Sequence, residues 1–143
     1  MPQDNIFRLL LTTLETGLPV LLGHFLATLT LLGLGVVLYM AITPFHERRL
    51  VGEGNVAAGV VLAGTVVALA IPLAATLATS YAVLDILLWG AVALVIQLLA
   101  FGIATLMLGG LRERIEAGNT AAASALVGVQ IALALLNAGA MAG

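Results

Sequence analysis

Arg48-Arg49-Leu50-Val51-Gly52-Glu53-Gly54-Asn55-Val56-Ala57-Ala58, with the apolar run after it, decides how this chain is built. The stretch returns as Arg112-Glu113-Arg114-Ile115-Glu116-Ala117-Gly118-Asn119-Thr120-Ala121-Ala122, at a fixed offset (119 − 55 = 64). The correspondence carries on through Leu62 with Leu126, Gly64 with Gly128, and Ala68-Leu69-Ala70 with Ala132-Leu133-Ala134. Each copy reads as a polar, arginine-bearing turn between two long apolar segments. The expected architecture is all-α: a bundle of four transmembrane helices from two tandem hairpins, residues 17–79 and 80–143, after an amphipathic lead-in at 1–16.

Composition fixes the solvent. Of 143 residues, 62% are hydrophobic and 8% charged, and the mean hydropathy is +1.21. A soluble domain carries about 25% charged residues, so most of this surface is expected to meet lipid. The net charge of −2 lacks the basic footprint of a nucleic-acid binder. There is no cysteine, hence no disulfide framework and no thiolate metal site.

In the lead-in, Ile6, Phe7, Leu10, Leu11 and Leu14 recur at helical spacing. That suits either an interfacial helix or a short entry to the first span. Spans are predicted at Gly17–Ile42, Val56–Thr79, Val83–Leu108 and Thr120–Met141, each with the roughly 20 apolar residues that cross a hydrocarbon layer about 30 Å thick. Pro19 falls in the first turn of the first span, where its missing N–H costs little, and Pro72 is expected to kink the second. Thr43-Pro44 reads as an N-cap and N1 proline opening a short helix through Glu47, Arg48 and Arg49. Gly54 suits the left-handed residue that closes it, and Asn55 the cap of the next span; Gly118 and Asn119 repeat the pair. Arginines concentrate in the two turns, at Arg48, Arg49, Arg112 and Arg114. The positive-inside bias places both turns in the cytosol and both termini in the periplasm.

Four stretches also resemble a family of small bacterial inner-membrane proteins catalogued as domain of unknown function 350 (DUF350). They are Thr43-Pro44 through Ala58, Leu84-Asp85-Ile86-Leu87-Leu88-Trp89-Gly90, Gln97-Leu98-Leu99-Ala100-Phe101 and Leu135-Leu136-Asn137-Ala138. The resemblance implies a two-helix unit, here duplicated, and an inner-membrane location. It implies no activity. Ala117 departs from the acid found at Glu53.

Among polar residues inside the spans, Gln97 and Gln130 each lie eleven residues from a predicted cytosolic end (108 − 97 = 11; 130 − 119 = 11), roughly 16 Å deep. They are expected to bond to each other as interhelical glue, with a polar lining for an ion path as the alternative. His24, Asp85 and Asn137 fall near the outer surface by the same arithmetic. A His24–Asp85 proton site is weighed against Asp85 simply opening the third span beside an interfacial Trp89. Gly64-x-x-x-Ala68 and Gly128-x-x-x-Ala132 offer small-residue faces that would pack the second and fourth spans or mediate self-association. Arg48, Arg49, Arg112 and Arg114 set topology, or contact anionic lipid or an acidic partner; Glu47, Glu53, Glu113 and Glu116 are expected to neutralise them in part.

No catalytic constellation, cofactor motif or metal-ligand spacing is present in the sequence. The chain therefore reads as a non-enzymatic inner-membrane component with the bilayer, further copies of itself, or another membrane or cytosolic protein as partners. The alternative is an oligomeric channel or transporter for a small ion or proton.

Overall fold

The computed structural model describes residues 2–43 and 46–143, with side chains from Asn5 onward. All regular structure among these residues is helical: α1 (Pro2–Ile42), α2 (Glu47–Gly52), α3 (Val56–Thr79), α4 (Val83–Met107), α5 (Leu111–Glu116) and α6 (Thr120–Ala142). Four of them, α1, α3, α4 and α6, are long and apolar enough to cross a membrane. The short α2 and α5 lie at one end of the bundle, called here the arginine-bearing end.

The two polar turns close in the same way. Gly54 (φ 83°) and Gly118 (φ 78°) take the left-handed conformation. Around them, Asn55 N donates to Leu50 O at 2.9 Å and Gly54 N to Val51 O at 3.0 Å. Asn119 N to Arg114 O and Gly118 N to Ile115 O, both 2.9 Å, reproduce that pattern. These paired bonds form the Schellman closure, which satisfies carbonyls a helix end otherwise leaves open. Each asparagine then caps the next span: Asn55 Oδ1 accepts from Ala58 N and Asn119 Oδ1 from Ala122 N, both at 3.0 Å.

Helices α3 and α6 form the packed centre, with α1 and α4 against it. Gly64 explains the closeness: a Cβ there would collide with the side chain of Val127 on α6. Gly90 on α4 likewise admits Leu31, and Gly35 on α1 admits Leu94. Small residues let helix backbones approach where lipid supplies no hydrophobic drive of its own. The second small-residue pair does not pack: Gly128 has open space around it, and both it and Ala132 are exposed. Two apolar clusters result, one around Leu31, Leu69, Leu73, Ile86, Leu94 and Phe101, and one around Leu50, Val61, Leu111, Ile115 and Leu126 at the arginine-bearing end.

The first element departs from expectation. Residues 1–16 were predicted as a lead-in distinct from a span starting at Gly17, whereas α1 runs unbroken for 41 residues. Thr12, Thr13 and Thr16 do not stop it, because their hydroxyls donate to Arg8 O, Leu9 O and Thr12 O within the helix. Pro19 accordingly lies inside α1 rather than in a first turn. Helix α3 is continuous through Pro72. The predicted cap at Thr43-Pro44 lies outside the described residues at Pro44; the residue preceding α2 is His46, which makes no side-chain capping bond.

Candidate functional site

The bundle interior holds a file of buried polar side chains that joins three helices. Thr65 on α3 donates through Oγ1 to Gln130 Oε1 on α6 at 3.1 Å. Gln97 on α4 donates through Nε2 to the Gln130 backbone carbonyl at 3.2 Å. Asn137, two turns along α6, donates through Nδ2 to Gln97 Oε1 at 3.2 Å and to Ala93 O at 2.9 Å. Thr65, Gln97 and Gln130 are wholly buried and Asn137 nearly so. Helical spacing explains the file: Gln130 and Asn137 are seven residues apart on α6 (137 − 130 = 7) and share a face toward α4. Gln130 Nε2 and Asn137 Oδ1 have no hydrogen-bond partner among the described residues.

Gln97 and Gln130 therefore do meet, but through the Gln130 carbonyl, while the Gln130 side chain turns to Thr65. Asn137, placed toward the outer end of its span by counting residues, joins this interior file. The arithmetic gave its height along the helix and could not give the face it occupies.

His24 and Asp85 are both half-buried, and no hydrogen bond or ion pair joins them among the described residues. His24 borders a cleft with Thr16, Val20 and Leu77, while Asp85 borders a different one with Ser80, Trp89 and Met141. The His24–Asp85 pairing, weighed in the sequence against Asp85 simply opening the third span, is not formed among the described residues. Asp85 sits in the first turn of α4, where a carboxylate suits the positive helix end.

At the arginine-bearing end, Arg48, Arg49, Arg112 and Arg114 are exposed. Arg112 Nε meets Glu116 Oε1 at 3.0 Å and Arg49 Nε meets Glu53 Oε1 at 3.7 Å, both exposed pairs one helical turn apart that contribute about 0.3–0.5 kcal/mol at most. Glu47 does not join them. It is 1% exposed, and its Oε1 has no hydrogen-bond partner among the described residues. Sequence reading placed it among the surface acids because it sits beside two arginines. The available signal was its register with Leu50, which points the same way as Glu47 on a helix and is buried. Asn55 was read only as a cap, yet its Nδ2 also donates to Ile115 O at 2.9 Å and Glu116 O at 3.1 Å, tying the two turns together.

Among the described residues no group of three or more metal-ligating side chains converges. Apolar spans, capped turns and an internal polar file define a multi-pass integral membrane protein. Residues 13–141 match the model of the family described as Domain of Unknown Function (DUF350), and the chain belongs to that family. It is 36% identical over 104 residues to the UPF0719 inner membrane protein YjfL of Escherichia coli strain K12, covering 73% of this chain and 79% of that protein. YjfL of Escherichia coli O157:H7 matches to the same extent. With such relatives and four apolar helices, this is a multi-pass inner-membrane protein. No solved structure matches the chain.

Proposed function

We propose that this protein is a non-enzymatic inner-membrane component that acts by assembly, with copies of itself or within a larger complex. The observation that carries the reading is how the interior polar groups are used. Thr65, Gln97, Gln130 and Asn137 are buried and bond to one another and to backbone carbonyls. They hold helices together and leave little reactive chemistry behind. Helix α1 has the smallest buried share of the four spans and α3 the largest, so α1 offers the widest face for another membrane helix. The short helices α2 and α5 present the arginines to a cytosolic partner.

In this reading the chain is a duplicated hairpin with both termini in the periplasm. Support comes from α2 and α5 beginning and ending 64 residues apart (111 − 47 = 64; 116 − 52 = 64) and from the two equivalent Gly-Asn closures. Arginine placement supports the orientation. Crosslinking in native membranes followed by affinity capture tests the assembly. Recovery of only uncrosslinked single chains, at every crosslinker length, would refute it. A periplasm-only reporter fused after Gly143 tests the orientation, which fails if that reporter is silent while a cytosol-only one works.

A second reading, an oligomeric channel or transporter for a small ion or proton, draws on the unpartnered Gln130 Nε2 and Asn137 Oδ1. Replacing Gln97 and Gln130 by leucine separates the two. A conducting path loses flux in liposomes, whereas glue changes stability and leaves flux unaltered.

A further inference from the structure

The least accommodated group in the molecule is the Glu47 carboxyl. It sits at the first residue of α2, 1% exposed, with Oε1 lacking any hydrogen-bond partner among the described residues. A buried carboxylate without a counter-ion is costly, and such groups commonly neutralise by holding a proton. The surroundings offer little to hold a charge. Tyr39 of α1 lies beside Glu47, and Thr65 beside Tyr39 in turn, without a hydrogen bond between the side chains of either pair among the described residues. Phe101 of α4 stacks edge-on against Tyr39, ring centroids 6.0 Å apart. Helix α3, which packs on α2, carries no ionisable residue anywhere along its length. The remaining titratable or charged neighbours are His46, Arg48 and Arg49 of the same turn. All three are exposed, and none forms an ion pair with Glu47 among the described residues.

We propose that Glu47, with Tyr39 beside it, is a proton-binding site at the arginine-bearing end of the bundle. Its route to water is the cleft of about 590 Å³ bordered by Met40, Thr43, His46, Arg48 and Arg49, to which Glu47 itself contributes. On its inner side Tyr39 lies between Glu47 and Thr65, the residue at which the Gln130–Gln97–Asn137 file begins. Burial also holds the Glu47 carboxyl above the ordinary carboxylate range, with the Tyr39 hydroxyl opposing that in part. The occupant is a proton rather than a metal ion, because among the described residues Glu47 belongs to no group of three or more acidic, histidine or cysteine ligands.

Infrared difference spectroscopy of the intact protein in lipid, titrated with pH, tests the site. The expected result is a protonated-carboxyl band that persists above the ordinary carboxylate range, is absent in Glu47→Gln and is retained in Asp85→Asn. In Tyr39→Phe the band should titrate at higher pH than in the parent, since the hydroxyl that favours the anion is gone. This variant keeps the carboxyl, so it decides the matter even where Glu47→Gln does not fold. A band that survives Glu47→Gln, one lost in Asp85→Asn, or an unmoved midpoint in Tyr39→Phe would overturn the proposal. So would a midpoint that moves with sodium concentration at constant ionic strength, which would make the site one for a metal cation.

Discussion

Asn55 reaches across the arginine-bearing end to Ile115, its Nδ2 donating to the Ile115 carbonyl at 2.9 Å while its Oδ1 caps α3. Asn119, in the matching turn, only caps. One residue type in one local motif thus does two jobs in the first turn and one in the second. Asn55→Ala should lose a cap, about 0.5–2 kcal/mol, and also two bonds between the turns, each about 0.5–1.5 kcal/mol. Asn119→Ala should lose the cap alone. Unfolding of the purified variants in mixed micelles should therefore rank Asn55→Ala clearly below Asn119→Ala. Asn55→Asp, which keeps the acceptor and loses the donor, should fall below the parent even where the cap survives.

Gly64 and Gly128 occupy corresponding places in the sequence and opposite environments in the fold. Gly64→Ala drives a methyl into Val127, a β-branched side chain with little rotamer freedom, and should destabilise by about 1–3 kcal/mol. Gly128→Ala meets nothing and should be neutral or stabilise by up to about 1 kcal/mol through helix propensity. Val127→Ala added to Gly64→Ala should recover part of the loss. Equal effects at the two glycines would contradict the packing of α3 on α6.

For Gln97 and Asn137, a double-mutant cycle to leucine should give a coupling near 0.6 kcal/mol and below about 2 kcal/mol, the range of interhelical bonds in membranes. Gln97→Leu alone leaves Asn137 its second acceptor, the Ala93 carbonyl at 2.9 Å. It should therefore cost less than Gln130→Leu, which strips Thr65 of its only interhelical partner among the described residues.

Glu47 gives stability a pH dependence of defined sign. Its folded-state value is raised by burial, so the folded chain holds this proton more tightly than the unfolded chain. The contribution is full in acid and declines as pH rises from the ordinary carboxylate value through the raised one, then levels off. Thermal unfolding across that window should show the decline in the parent and its loss in Glu47→Gln.

Much of the fold was legible because lipid imposes long, closed helices. The ends of α3 came directly from Asn55 and Ser80, and those of α4 and α6 fell within one residue of expectation. The Gly-Asn turns were legible because a left-handed residue followed by a cap has few alternatives. The start of the first span was not. The polar residues before Gly17 mark a change in solvent, and a helix whose threonines bond back to its own carbonyls crosses such a change unbroken. The interior file was half visible: glutamine depth follows from counting, but the facing of Asn137 depends on how α4 and α6 rotate against each other. Glu47 was misplaced because charge beside charge in sequence reads as surface, whereas one helical turn can bury the acid and leave both arginines outside.

The length of α1 has a mechanical consequence. At 1.5 Å per residue its 41 residues extend about 61 Å, against about 36 Å for α3. The portion of α1 before Gly17 is about 22 Å long and lies beyond Gly23, the position on α1 that Val83 packs against. It is a stiff lever whose fulcrum is the end of the bundle opposite the arginines. Tilting that portion by about 10° would sweep its far end through about 4 Å over that length, so a small tilt of α1 where it leaves the bundle is enlarged along the helix.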